Sequence, residues 1–221
     1  MLKKTLFLAF ISITFYACTK EKNAPKRSIY YEYYPLKEGV VWIYDVDSTF
    51  YNNFNNSRTD YSFEIKDTIT SYYTNLTGDT VYRVERYKKE DNSTVWNYQK
   101  TITRSVNSRS AEETIDNQTF IRFAFPPELY YSWNGNSKNT LEKQDYKITD
   151  FPASVEVNNM VYDSAVVILQ VEDINLIRED IVSEVYAKNI GLIKKSFKGV
   201  EKNISTGQIT HGTIYTMELK E

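Results

Sequence analysis

Period-two alternation of apolar and polar residues is the feature that most limits what this chain can fold into. Trp42, Tyr44, Val46, Ser48 and Phe50 fall on one face of an extended segment, with Asp45, Asp47 and Thr49 on the other. The pattern recurs at Tyr61, Phe63, Ile65, Asp67 and Ile69, set against Ser62, Glu64, Lys66 and Thr68. Side chains on a strand point alternately to opposite faces, so such a stripe buries one face and shows the other to water. No segment keeps a 3.6-residue period. Residues Leu176 to Val185 leave room for a short helical piece in place of a strand start.

Turn cues punctuate the pattern at Asn52 to Ser57, Asn75 to Asp79, Lys89 to Ser93, Asn134-Gly135-Asn136, Asn158-Asn159 and Ser205-Thr206-Gly207. Between them, strands are expected at Thr80 to Tyr87, Val95 to Arg104, Thr119 to Phe125, Lys143 to Ile148, Tyr162 to Glu172, Ile181 to Ala187, Gly191 to Phe197 and Gln208 to Leu219. The consecutive Val166, Val167, Ile168 and Leu169 predict a strand in the middle of the sheet, covered on both faces. Nineteen Tyr and eleven Phe against seven Gly and five Pro give strong β-formers few interruptions. The expected fold is mostly β: one domain, a strongly curved antiparallel sheet or open barrel of about ten strands, with little helix.

The N-terminus has a different logic. Lys3 and Lys4, an apolar run from Leu6 to Tyr16, and Ala17 before Cys18 have the form of a bacterial lipoprotein signal. The run is too short to span a bilayer. The expected division is therefore a signal peptide at 1–17, a lipidated Cys18 with a flexible tether at 18–28, and a β-rich domain at 29–221. Acyl chains contribute on the order of 0.8 kcal/mol per buried methylene, so two or three anchor the protein without help from its fold. Cys18 is the sole cysteine, which removes disulfides and leaves no thiol nucleophile in the domain.

Past the signal the chain carries 25 basic and 29 acidic residues, a balance with no nucleic-acid footprint. His211 is the sole histidine, no Gly-x-Ser-x-Gly accompanies it, and zinc sites combine several His or Cys ligands. The acidic groups Glu172-Asp173, Glu179-Asp180 and Glu112-Glu113 with Asp116 flank turn cues and read as solvated charge; no calcium loop is present. No catalytic, metal or cofactor residue is expected. Trp42 and Tyr44 share a face with aliphatics and read as core, whereas Trp96 and Tyr98 could serve a platform. The Pro-interrupted stretch Phe125, Leu129, Tyr130, Tyr131 and Trp133 breaks the alternation, as a loop closing over a sheet does, and is the expected ligand-binding site.

The segment Tyr34-Pro35-Leu36-Lys37-Glu38-Gly39-Val40-Val41-Trp42-Ile43-Tyr44-Asp45-Val46-Asp47-Ser48 resembles the start of a group of uncharacterised lipoproteins of the Bacteroidetes phylum. Val81 to Tyr87, Trp133 to Asn136 and Glu184 to Ile193 are similar to later stretches of that group, the last departing from its commoner Gly-Val-Gly-Leu form at Asn189 and Ile190. The resemblance implies an outer-membrane lipoprotein, palmitoylated at Cys18 and facing the periplasm or the cell surface, and supplies no catalytic residues. It also implies a sheet akin to that of the periplasmic lipoprotein carriers. Lys20-Glu21 is similar in part to the phylum's surface-export signal, and Asp47-Ser48-Thr49, Asp67-Thr68-Ile69, Asp79-Thr80-Val81 and Asp163-Ser164-Ala165 are similar to its O-glycosylation motif.

Three readings follow. The first is a non-enzymatic module that binds or scaffolds an envelope protein, glycan or lipid. The second is a carrier or sensor of a hydrophobic ligand in the sheet's concavity, which needs several hundred cubic ångströms of empty apolar space. The third is a carboxylate-dependent polysaccharide hydrolase, which needs two acids converging in a cleft.

Overall fold

The computed structural model describes residues 30–220. The signal peptide, Cys18 and the tether lie outside the described residues. After a single 3-10 turn, Tyr31–Tyr33, twelve strands follow: β1 Val41–Asn52, β2 Ser57–Thr74, β3 Thr80–Glu90, β4 Asn97–Val106, β5 Ser110–Ile115, β6 Gln118–Ala124, β7 Ser132–Asn134, β8 Asp145–Val157, β9 Met160–Ile174, β10 Arg178–Ala187, β11 Gly191–Lys202 and β12 Ile209–Leu219. All pair antiparallel in one sheet ordered β6-β5-β4-β3-β2-β1-β12-β11-β10-β9-β8-β7. The expected curved sheet is therefore present, nearly closed into a barrel.

Two strands exceed the sequence expectation. β5 has an Ala-Glu-Glu-Thr centre with little β-propensity and was read as acidic turn; β7 is three residues long. The helical alternative at 176–185 is corrected too, because Asn175 takes the backbone N–H groups of Ile177 and Arg178 on its side chain and turns the chain straight into β10.

The order is two six-stranded meanders, β1–β6 and β7–β12, joined by the pairing of β1 with β12. At the far ends the sheet closes on itself through few bonds. Thr119 and Lys138 form an isolated bridge, Ile121 N–H donates to the Gly135 carbonyl at 2.9 Å, and Trp133 Nε1 donates to the Ile121 carbonyl at 2.9 Å. Lys138 Nζ, 2.6 Å from Glu112 Oε1, clamps this seam from the side.

The barrel wall is doubled on one side. Val185 and Ala187, on the opposite face of β10 from Glu184 and Tyr186, pack with Ala153, Val157, Ala165 and Ile193. Three register shifts between β8 and β9 bend their hairpin so that Asn158, at its tip, donates from Nδ2 to the Leu219 carbonyl of β12 at 2.8 Å. The hairpin thus folds back across β10 and β11. That is why Val166 and Ile168 are fully buried and Val167 packs against the outer cluster: the strand is covered on both faces as expected, but its expected place in the middle of the sheet is corrected, since it is third from one end and the folded-back hairpin supplies the cover.

Inside, one aromatic-rich cluster joins Tyr33, Tyr34, Phe123, Phe125, Tyr146 and Tyr186; a second joins Trp42, Tyr44, Val46, Ile69, Val84, Ile102 and Met217. Leu36 and Leu192 touch both. The segment before β1 therefore closes one end of the barrel. It is held there by Asn189 N–H to the Glu32 carbonyl at 2.6 Å and by Gly39 N–H to the Ile69 carbonyl at 2.9 Å.

Candidate binding site in the barrel interior

Inward-facing positions on seven strands carry charge where the alternation calls for apolar side chains. Asp67 sits between Ile65 and Ile69 on β2, Arg86 beyond Val84 on β3, Arg104 beyond Ile102 on β4, Glu113 between Ala111 and Ile115 on β5, Glu184 beside Tyr186 on β10, and Lys195 on β11. Arg122 of β6 completes the set. Adjacent strands stand about 4.8 Å apart, so consecutive strands bring these groups into one chain of contacts.

Asp67 is wholly buried. Its two oxygens accept from Arg86 Nε and Nη2 at 2.7 Å each, and Oδ2 accepts a third bond from Arg104 Nη2 at 2.8 Å. Arg104 Nε continues to Glu113 Oε2 at 2.9 Å, and Arg122 Nε reaches Glu113 Oε1 at 3.1 Å. A shorter relay links Lys195 Nζ and the Tyr186 hydroxyl to the two oxygens of Glu184, both at 2.7 Å. The Arg104 guanidinium also lies 5.7 Å from the Trp42 ring centre, within cation–π range.

Burial by itself raises a carboxyl pKa, and here the guanidinium groups reverse it. Asp67 is lowered by Arg86 and Arg104, Glu113 is held well below the usual carboxylate range by Arg104 and Arg122, and Glu184 is lowered by Lys195 and Arg122. The three acids are thus ionised at neutral pH. In the same interior, burial raises the hydroxyl pKa of Tyr34, Tyr44, Tyr186 and Tyr215. These hydroxyls remain donors.

The charges and the end-closing segment line a partly open cavity of about 100 Å³. Charged Arg86, Arg104, Arg122, Lys195, Glu113 and Glu184 and apolar Trp42, Leu36, Ile115, Leu192 and Met217 line it together. For comparison, an apolar cavity of roughly 150 Å³ binds benzene.

The residues expected from sequence to bind a ligand are divided. Phe125 is buried, 4.9 Å from Phe123 between ring centres, and belongs to the core. Leu129, Tyr130 and Tyr131 are exposed outside the barrel, with Tyr131 stacked on partly buried Trp133 at 6.1 Å and Lys147 Nζ 5.2 Å from the Tyr130 ring centre. Tyr130, 66 % exposed, has φ 67°, in the left-handed region that bulky residues seldom adopt, and its N–H donates to the Ile148 carbonyl at 2.9 Å. The stretch forms an external aromatic ledge beside β8.

Other expectations resolve as follows. Trp96 lies under two ammonium groups, Lys66 at 4.6 Å and Lys89 at 5.1 Å from its ring centre. His211 is inside β12, edge-on to Phe50 at 6.1 Å, with a buried Nδ1 that has no hydrogen-bond partner among the described residues. Glu112 and Glu113, read as solvated turn charge, are instead the seam clamp and the centre of the interior network. The interior network was missed for a simple reason. Its signal, a charged residue at an inward parity, was present at Asp67, but one strand shows neither the partner nor its distance.

No family profile matches the chain, and no curated protein matches it. Among solved structures, a protein of Bacteroides fragilis described as exported and as having a YmcC-like fold is similar at 8 % identity and a TM-score of 0.44, over 85 % of this chain and 98 % of that one. At that distance the likeness carries no argument about function.

Proposed function

We propose that the protein is a non-enzymatic binding or scaffolding module, anchored through lipidated Cys18 in an outer membrane and presenting its β-domain to an envelope protein or glycan. One observation supports this above others: the barrel interior is filled with aromatic rings and paired charges, while an aromatic ledge at Leu129, Tyr130 and Tyr131 is left outside. A carrier of hydrophobic ligands needs a pocket of about 300 Å³ or more, and the interior cavity has about 100 Å³ and is lined by six charged side chains. The carboxylates argue against hydrolysis as well. A general acid needs a raised pKa, and Asp67, Glu113 and Glu184 are all lowered.

The test is site-specific photo-cross-linking in the native envelope, with the probe at Tyr130 and, as control, at exposed Tyr61 on β2. The expected result is one discrete adduct from Tyr130 and none from Tyr61. Equal or absent adducts would overturn the ledge as contact surface. In the same cells Cys18→Ala is expected to lose acyl label and membrane retention together; retention without label would refute the anchor.

A further inference from the structure

The interior network does not balance. Arg86, Arg104, Arg122 and Lys195 bring four cations, against the three carboxylates of Asp67, Glu113 and Glu184. A guanidinium carries five N–H donors. Arg86 spends two of them on Asp67, and Arg104 spends one on Asp67 and one on Glu113. The Tyr34 hydroxyl lines the same cavity, and Tyr34 is 7 % exposed, yet the hydroxyl makes no hydrogen bond to any described residue. An excess positive charge and a surplus of donors around one pocket favour an occupant that only accepts.

We infer that the cavity is a binding site for a small monocarboxylate, its oxygens taken by the Tyr34 hydroxyl and the free N–H donors of the arginines, and its short alkyl part set against Trp42, Ile115, Leu192 and Met217. The charge excess of one matches a monoanion. A phosphate brings about 1.5 to 2 negative charges at neutral pH and overcompensates. The mixed lining, with apolar side chains among the charged ones, suits a carboxylate with a short tail better than a symmetric inorganic anion. About 100 Å³ limits that tail to a few carbons. This site is independent of the external ledge, and it survives or fails separately from it.

The experiment uses the full chain in detergent, dialysed exhaustively against chloride. Titrations with acetate, propionate, phosphate and chloride at matched ionic strength are followed by calorimetry and by the thermal unfolding midpoint. Acetate or propionate is expected to bind saturably and raise the midpoint, with propionate at least as tight. Tyr34→Phe keeps every ion pair and removes one hydrogen bond to a charged group, so it is expected to weaken binding by about tenfold or more. Lys195→Gln removes the excess charge and is expected to abolish binding; Glu184 retains its bond from Tyr186. If Lys195→Gln fails to fold, Tyr34→Phe decides alone. A rise that does not saturate and is equal for all four anions is charge screening and overturns the inference. So does saturable binding of phosphate alone, or unchanged affinity in Tyr34→Phe.

Discussion

Replacing Asp67 by Asn tests whether the interior network acts as a buried electrostatic unit. The side chain keeps its size, so packing is nearly unchanged, but Arg86 and Arg104 lose the charge that receives three of their bonds at 2.7, 2.7 and 2.8 Å. Breaking a buried pair by removing one partner costs about 3–5 kcal/mol, because the other charge is left uncompensated. Domains have a total stability of about 5–15 kcal/mol, and for a domain of this size each kcal/mol moves the unfolding midpoint by about 2–4 °C. The expected fall is therefore about 6–20 °C. Urea denaturation followed by tryptophan fluorescence measures the same loss, with Trp42 beside Arg104 reporting locally. The control is Asp60→Asn, whose pair with Arg58 is exposed on both sides and is expected to leave the midpoint unchanged. A loss under about 1 kcal/mol for Asp67→Asn would mean that water reaches and screens the network, and would refute the reasoning.

Two further outcomes follow from the same structure. The folded-state pKa values of Asp67, Glu113 and Glu184 are lowered, so the stability they confer is fully present above their unfolded values, near 3.8 and 4.5, and is lost as pH falls through the folded ones. Urea midpoints are expected to hold from pH 7 to about 5 and to drop steadily below about 4; a flat profile down to pH 2 would contradict the assigned pairs. Gly212 has φ 117°, and an added Cβ would meet the Gly199 carbonyl oxygen of the neighbouring strand at 2.1 Å, whereas Gly39, at φ 85°, has open space around it. Gly212→Ala is expected to cost about 2–5 kcal/mol and Gly39→Ala about 1 kcal/mol, and equal effects would be inconsistent with the close β11–β12 approach.

Most of the barrel is legible in the sequence because hairpins are local: alternation assigns the faces, and Asn and Gly positions assign the turns. Asn158-Asn159, both with positive φ, and Asn75, whose side chain accepts from the backbone of Thr77 and Asp79, do what their residue types foretell. β5 escaped because Glu112 and Glu113 suggest solvent, and their partners Lys138, Arg104 and Arg122 lie on other segments. The interior site escaped for the same reason. A charge at an inward parity acquires meaning when its neighbours across the barrel are known, and those lie far away along the chain, as Arg104 does, 37 residues from Asp67. The ledge was half legible. The break in alternation at Phe125 to Trp133 marked a departure from the sheet without saying that Phe125 turns inward while Tyr130 turns out.

The strand order has a consequence for how the chain reaches this structure. Nearly every ladder joins neighbours in sequence, and one, β1 with β12, joins segments separated by most of the domain, as in Tyr44 opposite Leu219. Loop-closure entropy grows with the logarithm of separation, so the cost of bringing distant chain together is concentrated in that single ladder. Each meander can assemble from hairpins on the microsecond scale, whereas the final union waits for the slow encounter of two preformed halves. Until then both β1 and β12 are open edges in sheets rich in tyrosine and phenylalanine. The interval before they meet is when this protein is most exposed to pairing with another copy of itself.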